Sequence, residues 1–230
     1  MAGDRMLALM DDLVTHVTVE DDDDDDDQCI GMKPAYKGRV HIAARRASAI
    51  RMVKQECANP RAFVVFADAS SLPSTPTTPA ASGAGIAHPC IEDGASWVEV
   101  SVPLPAVESS LAAELAAAGR ALGVARAELL HVRHDFGTDM IVTVLSDCKS
   151  ALEWIARLRN ATSLATLSAD LRPLIQDIQD RARLLNDLGA EVDFMWVPSH
   201  DGVYGNERAD ALARAAATTA LKILAGNHPP

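Results

Sequence analysis

Two apolar runs in this chain stop on an aspartate. RAFVVFADAS (61–70) and DMIVTVLSD (139–147) hold too many consecutive apolar residues for a solvent-facing strand and too few for a helix. Such runs read as interior strands of a sheet, and Asp68 and Asp147 mark where each strand leaves the core. Further strands are expected at GAGIAHP, at SWVEVSVPL, where Trp97, Glu99 and Ser101 alternate with Val98, Val100 and Val102, and at EVDFMWVPS. The Pro/Ser/Thr-rich SLPSTPTTPAAS (71–82) reads as a loop, so the first three strands form an antiparallel meander.

Helical patterns fill the intervals. Ser109 and Ser110 offer an N-cap to SLAAELAAAGRALGVARAELL, CKSALEWIARL follows Asp147 at once, and LRPLIQDIQDRARLLNDLGA closes on Gly189. Asn206 is expected to cap NERADALARAAATTALKILA, with that helix starting near Glu207. The order of three strands, helix, strand, two helices, strand and helix is that of an α/β domain.

That domain does not use the whole chain. At 230 residues and 48% hydrophobic content there is material for one core of about 150 residues plus an appendage. Glu20–Asp27 is an unbroken acidic run, which repels itself and stays solvated; ligands that do not alternate with turn residues cannot converge on one cation. Residues 33–54 reverse the sign, with Lys33, Lys37, Arg39, Arg45, Arg46, Arg51 and Lys54 and no acidic residue. Ala43, Ala47, Ile50 and Val53 fall there at helical spacing. The expected division is an acidic tail (1–32), a basic helical lead-in (33–60), the α/β domain (61–225) and a short C-terminal tail (226–230). The lead-in is either a docked helix with a charged face or an arm that contacts phosphates. The tail's partner is unknown; the tail has the charge to fold back on the lead-in and mask it.

Several classes are set aside. Cys29, Cys57, Cys90 and Cys148 form no CxxC pair, and neither His88 with Cys90 nor His131 with His134 finds a second pair, so neither a disulfide framework nor a zinc site is expected. The first residues, MAGDRMLALMDDLV, are interrupted by Asp4, Asp11 and Asp12, unlike a signal peptide, and no apolar stretch approaches membrane-spanning length. A soluble intracellular protein, nuclear or cytoplasmic, is expected, with no membrane partner. A net charge of −11 does not announce nucleic-acid binding by bulk attraction.

The acidic residues at the exits of elements say more. Asp68 and Asp147 close strands, Glu114 lies in the first turns of one helix and Asp210 near the start of another. Four convergent carboxylates repel one another unless cations lie between them, and hard oxygen ligands favour Mg²⁺ or Mn²⁺. A pair of such ions about 3.5–4 Å apart suits phosphodiester cleavage. His200, in a loop with Gly202 and Gly205, is placed to approach such a site and move a proton.

ADAS (67–70), SSLAAELAAAGRAL (109–122), LSDCKSAL (145–152) and above all WVPSHDGVYGNERADALA (196–213) resemble the type 1 ribonuclease H family. The last segment is most similar to the ribonuclease H domains of retroelement reverse transcriptases. The resemblance spans about residues 61–225 and implies a ribonuclease H-like α/β fold: a mixed five-stranded sheet, an antiparallel meander plus two parallel strands, flanked by helices. By the same resemblance Asp68, Glu114, Asp147 and Asp210 are metal ligands and His200 the mobile histidine. Glu108 competes with Glu114, but the Ser-Ser cap and Leu115 favour the latter.

The implied activity is endonucleolytic cleavage of RNA in RNA/DNA hybrids with two Mg²⁺ per site, Mn²⁺ substituting, leaving 3′-hydroxyl and 5′-phosphate ends. Hybrid recognition then relies on 2′-hydroxyls. Ser70, Ser109, Ser110 and Asn206, with Lys33, Lys37, Arg39, Arg45 and Arg46, are the candidate nucleic-acid contacts. A place in a larger reverse transcriptase polyprotein is implied as well. Two features depart from the pattern. Ala69 stands where the family usually has glycine, and residues 55–230 carry 13 basic against 21 acidic residues. The alternative is a non-catalytic ribonuclease H-like module of retroelement origin that binds or scaffolds nucleic acid.

Overall fold

In the computed structural model, the described residues are 35–226 apart from 77, 92, 93, 95, 106, 108, 132–139, 160–163 and 166. The acidic tail, Lys33, Cys29, Glu108 and His134 lie outside them. The chain runs β1 (Val40–His41), α1 (Arg46–Cys57), β2 (Ala62–Leu72), β3 (Ala81–Pro89), β4 (Trp97–Leu104) and α2 (Ser110–His131). It continues through β5 (Met140–Ser146), α3 (Lys149–Arg159), α4 (Leu171–Asp187), β6 (Ala190–Trp196) and α5 (Tyr204–Gly226). No helix among the described residues is long and apolar enough to cross a membrane.

The sheet has the order β1-β6-β5-β2-β3-β4. β2, β5 and β6 run parallel, and β3 and β4 return antiparallel, which is the expected mixed sheet. A sixth strand is added at the edge, where Val40 and His41 pair in parallel with Phe194 and Met195. Two residues inside a basic stretch carry no periodicity, so nothing in the sequence pattern distinguishes this strand.

Alternation along the central strands divides the core. Phe63 and Val65 of β2, Val142 and Val144 of β5 and Val192 and Phe194 of β6 share one cluster with Leu115 and Leu122 of α2, Leu152 and Ile155 of α3 and Ile178 and Leu185 of α4. Val64, Phe66, Leu145, Met195 and Val197 point the other way, onto Val53 of α1 and Ala209 of α5. Each fully buried large apolar side chain contributes about 1.5–3 kcal/mol to holding these layers together.

The second layer depends on small residues. A Cβ added at Gly85 would sit 2.0 Å from the Ala209 carbonyl oxygen, and one at Gly83 2.2 Å from the Ala217 nitrogen. Ala213, Ala216, Ala217 and Ala220 complete the inner face of α5. The helix therefore lies directly on the backbone of β3, at a height set by glycine and alanine.

Four expectations are revised by these elements. β2 does not stop at Asp68 but continues to Leu72, because β3 goes on pairing with it after β5 has ended at Phe66↔Leu145 and Ser146. The expected 71–82 loop shrinks to residues 73–80, closed by reciprocal backbone bonds between Thr75 and Thr78. Helix α1 begins at Arg46, so Ala43 is buried ahead of it, Ala47 is exposed, and the inward residues are Ser48, Ala49 and Val53. Asn206 is no cap: α5 starts two residues earlier, at Tyr204. Gly205 permits that start, since a Cβ there would lie 2.3 Å from the Phe66 ring.

Candidate active site

Three carboxylates meet where the parallel strands end. Asp68 lies on β2 two residues beyond its last pairing with β5, Asp147 follows the last residue of β5, and Glu114 is the fifth residue of α2. Each offers an oxygen, and the three oxygens lie within 4.8 Å of one another. The Ser109 side chain fixes the entry of α2 by accepting a hydrogen bond from the Ala112 N–H at 3.0 Å, and one turn later that places Glu114 inward. Ala69 has ordinary strand geometry, since His200 is the sole non-glycine described residue with positive φ; alanine in place of glycine costs nothing there.

The cluster is electrostatically frustrated. Burial and then the neighbouring Asp147 push the Asp68 carboxyl up to about 7, although the Ala69 N–H donates to its Oδ1 at 2.8 Å. Burial, followed by the charges of Asp68 and Asp147, pushes Glu114 up to about 9. Its Oε2 is buried with no hydrogen-bond partner. Burial also raises Asp147, opposed by a hydrogen bond from Asn206 Nδ2 to its Oδ2 at 3.4 Å and by the nearby His200. Among the described residues no basic side chain forms an ion pair with any of the three. An array of oxygens desolvated, mutually repelling and without a direct ion-pair partner has the chemistry of a hard-cation site.

Asp210 stands beside this cluster rather than within it. Its Oδ2 is paired with Arg214 at 2.7 Å, one turn along α5, yet its charge still raises both Asp68 and Asp147. His200 is exposed, has φ 57° and occupies the loop between β6 and α5. Trp196 supports the floor: its indole N–H donates to the Asp147 carbonyl at 3.1 Å, and Lys149 lies over its ring at 3.8 Å.

The other expected contacts disperse. Ser70 continues β2 beyond Asp68, and Ser110 is the exposed first residue of α2. Arg39 pairs with Asp193 at 3.1 Å, and the Lys37 backbone bonds Asn186 and Val192, towards the start of β6 and away from the carboxylates. Arg45 is exposed just before α1. Arg46 lies across the surface, its side chain 61% exposed, with Nε donating to Asp201 Oδ2 and Nη2 to the Ser199 carbonyl, both at 2.7 Å. Two roles escape a reading of the sequence. Asn206 is a buried partner of Asp147, and Trp196 braces the same residue; both depend on tertiary contacts that no local pattern encodes. The Asp210–Arg214 pair, by contrast, has the i,i+4 spacing that signals it.

Comparison with known proteins bears on the whole arrangement. Prototype foamy virus protease-reverse transcriptase shares 19% identity with a TM-score of 0.52, over 69% of this chain and 21% of that one. LC9-RNase H1, described as a type 1 RNase H with the type 2 active-site motif, shares 20% identity with a TM-score of 0.49, over 70% and 74% of the two chains. RNase H1 from the halophilic archaeon Halobacterium salinarum NRC-1 shares 19% with a TM-score of 0.44, over 69% and 98%. The chain thus spans about a fifth of the foamy virus protein, and that likeness is one of fold. No curated protein matches the sequence. The RNase H sequence model matches residues 60–218, a segment that holds β2 to β6, all four carboxylates and His200. With the match covering most of the chain and the carboxylates gathered where its strands end, the chain belongs to the RNase H family.

Proposed function

We propose that this chain is a metal-dependent endoribonuclease that hydrolyses the RNA strand of RNA/DNA hybrids, leaving 3′-hydroxyl and 5′-phosphate ends. The convergence of Asp68, Glu114 and Asp147 within 4.8 Å carries the reading. The buried Oε2 of Glu114, which has no hydrogen-bond partner, supports a fit to a cation, since a buried polar atom left unsatisfied is costly. Asp68, Glu114 and Asp147 would hold two Mg²⁺, or Mn²⁺ in their place, and Asp210 would join from α5. Its exposed pair with Arg214 is worth only a few tenths of a kcal/mol, about 0.3–0.5, and is readily exchanged. Bound there, the ions supply Lewis acidity that eases deprotonation of a water and neutralises charge on the leaving oxygen.

The chain's own residues do the rest. Asn206 favours the ionised form of Asp147 by donating to it. His200, exposed next to Asp147, would carry a proton between the site and solvent through an imidazole nitrogen. Ser70 and Ser110, on the two elements that bear Asp68 and Glu114, would meet ribose hydroxyls of the RNA strand. The fold shared with a segment of a viral protease-reverse transcriptase supports a retroelement setting, with the chain part of a larger polyprotein.

The test is cleavage of labelled RNA/DNA hybrid, beside RNA/RNA and DNA/DNA duplexes, at low salt with Mg²⁺ or Mn²⁺. Hybrid-only cutting that vanishes in Asp147→Asn is expected. A folded wild type that cuts nothing would refute the reading. Hybrid binding without cutting would instead identify a non-catalytic module; the excess of 21 acidic over 13 basic residues in 55–230 weakens grip on the backbone, so binding by either is expected to fade at modest salt.

A further inference from the structure

His200 adopts the left-handed backbone that residues with a Cβ avoid, so something outside the residue must hold it there. The residues on either side of it are both bound by one side chain. Arg46 Nε donates to Asp201 Oδ2 and Arg46 Nη2 donates to the Ser199 carbonyl oxygen, each at 2.7 Å. A planar guanidinium makes two such bonds at once; an ammonium on a flexible stem does not reproduce that fork.

Arg46 is itself mounted on a fixed support. It opens α1, whose Ala49 and Val53 are buried against the sheet and whose far end is tied to β5 by the Thr143 hydroxyl donating to Glu56 Oε1 at 2.5 Å. Between α1 and the loop lies a groove of about 480 Å³, with Ile50, Val53 and Lys54 on one side and Gly202 and Val203 on the other. Val203 and Val53 share an apolar cluster at the base of this groove, and the fork at the N-terminus of the helix bridges its rim. All of α1 precedes the family-matched segment, which begins at residue 60.

We propose that Arg46 is a positioning residue, holding the Ser199–Asp201 turn so that His200 stays beside the carboxylate cluster. A segment N-terminal to the family domain thereby sets how often the histidine is in place. The effect on rate rests on the nuclease reading given above; the effect on the loop does not.

Two measurements on the full chain keep these apart. Backbone amide order parameters of His200, Asp201 and Gly202, taken by NMR without metal or substrate, should be about 0.85 in the wild type and fall below about 0.6 in Arg46→Ala. Arg46→Lys, which keeps the charge and loses the fork, should stay mobile, and Asp201→Ala should reproduce the loss from the other partner. In hybrid cleavage, Arg46→Ala should lower kcat by about fivefold to tenfold with KM within about twofold, the scale of one or two exposed hydrogen bonds. In a His200→Ala background the same substitution should change nothing further. An ordered loop in Arg46→Ala, or a rate loss that persists without His200, overturns the proposal. A wild type that cuts nothing overturns the nuclease reading and leaves the order parameters to decide the role of Arg46.

Discussion

Neutralising Glu114 exposes how much the carboxylate cluster costs the metal-free fold. Glu114 is only 9% exposed, and burial, then Asp68 and Asp147, push its carboxyl from the ordinary 4.5 to about 9. An acid whose folded pKa lies above its unfolded value retains a proton that the unfolded chain releases, so the folded state binds more protons. Metal-free stability must then fall as pH rises from about 4.5 towards about 9. Each pH unit inside that window is worth about 1.4 kcal/mol. Between about pH 5 and about pH 7 Glu114 alone removes roughly 3 kcal/mol. Glu114→Gln cannot ionise and escapes this loss. The buried amide brings its own penalty of about 1–3 kcal/mol, but that penalty does not vary with pH. The slope therefore carries the test. For a domain of this size about 2–4 °C accompanies each kcal/mol, so the Tm difference between variant and wild type should change by roughly 6–12 °C between about pH 5 and about pH 7. Thermal unfolding in EDTA at stepped pH values measures it, and parallel pH profiles for the two proteins would refute the reasoning. Millimolar Mg²⁺ should in turn raise the wild-type Tm most at the alkaline end, where binding no longer has to displace protons, and should do less for Glu114→Gln.

Other substitutions read other parts of the site. His200→Ala should slow hybrid cleavage by roughly tenfold to ten-thousandfold and leave metal-dependent residual cutting; a loss as complete as that of Asp147→Asn would make His200 something other than a proton carrier. Asn206→Ala removes the side-chain donor that favours ionised Asp147, so the acid limb of the pH–rate profile should move to higher pH, and an unmoved limb would sink the assignment. Gly85→Ala drives a methyl to 2.0 Å from the Ala209 carbonyl and should cost about 1–3 kcal/mol, seen as a fall in Tm. Gly226→Ala, with nothing within 4 Å of the added carbon, is its neutral control.

The central strands and most helices were legible because each carries its own period: the apolar runs at 62–67 and 140–145 and the alanine stripe of α5 need no partner to be seen. The site was legible for a different reason. Carboxylates at strand ends and helix starts oppose burial, and the residues around His200 and Asp210 form a compact motif. What stayed hidden depends on contacts between distant segments. Asp68 reads as a strand terminus, yet β3 carries β2 four residues further. Asn206 reads as a cap because its type is a cap-former; only the fit of Gly205 on Phe66 moves the helix start upstream and turns the amide towards Asp147. Arg46 reads as one more cation in a basic stretch, and its partners lie more than 150 residues away in sequence.

The two-residue strand β1 has a bearing on association. Besides pairing with Phe194 and Met195, the segment leading into it takes the Val192 and Phe194 amides on the carbonyls of Lys37 and Arg39. Without residues 35–59, β6 would end the sheet as an open parallel edge with no short strand or helix to cover it, and Asp193 would lose both Arg39 and His41. A second copy could add its own β6 there. Trimming the chain to the segment that defines the family would leave the carboxylates in place, and the expected failure is edge-to-edge aggregation.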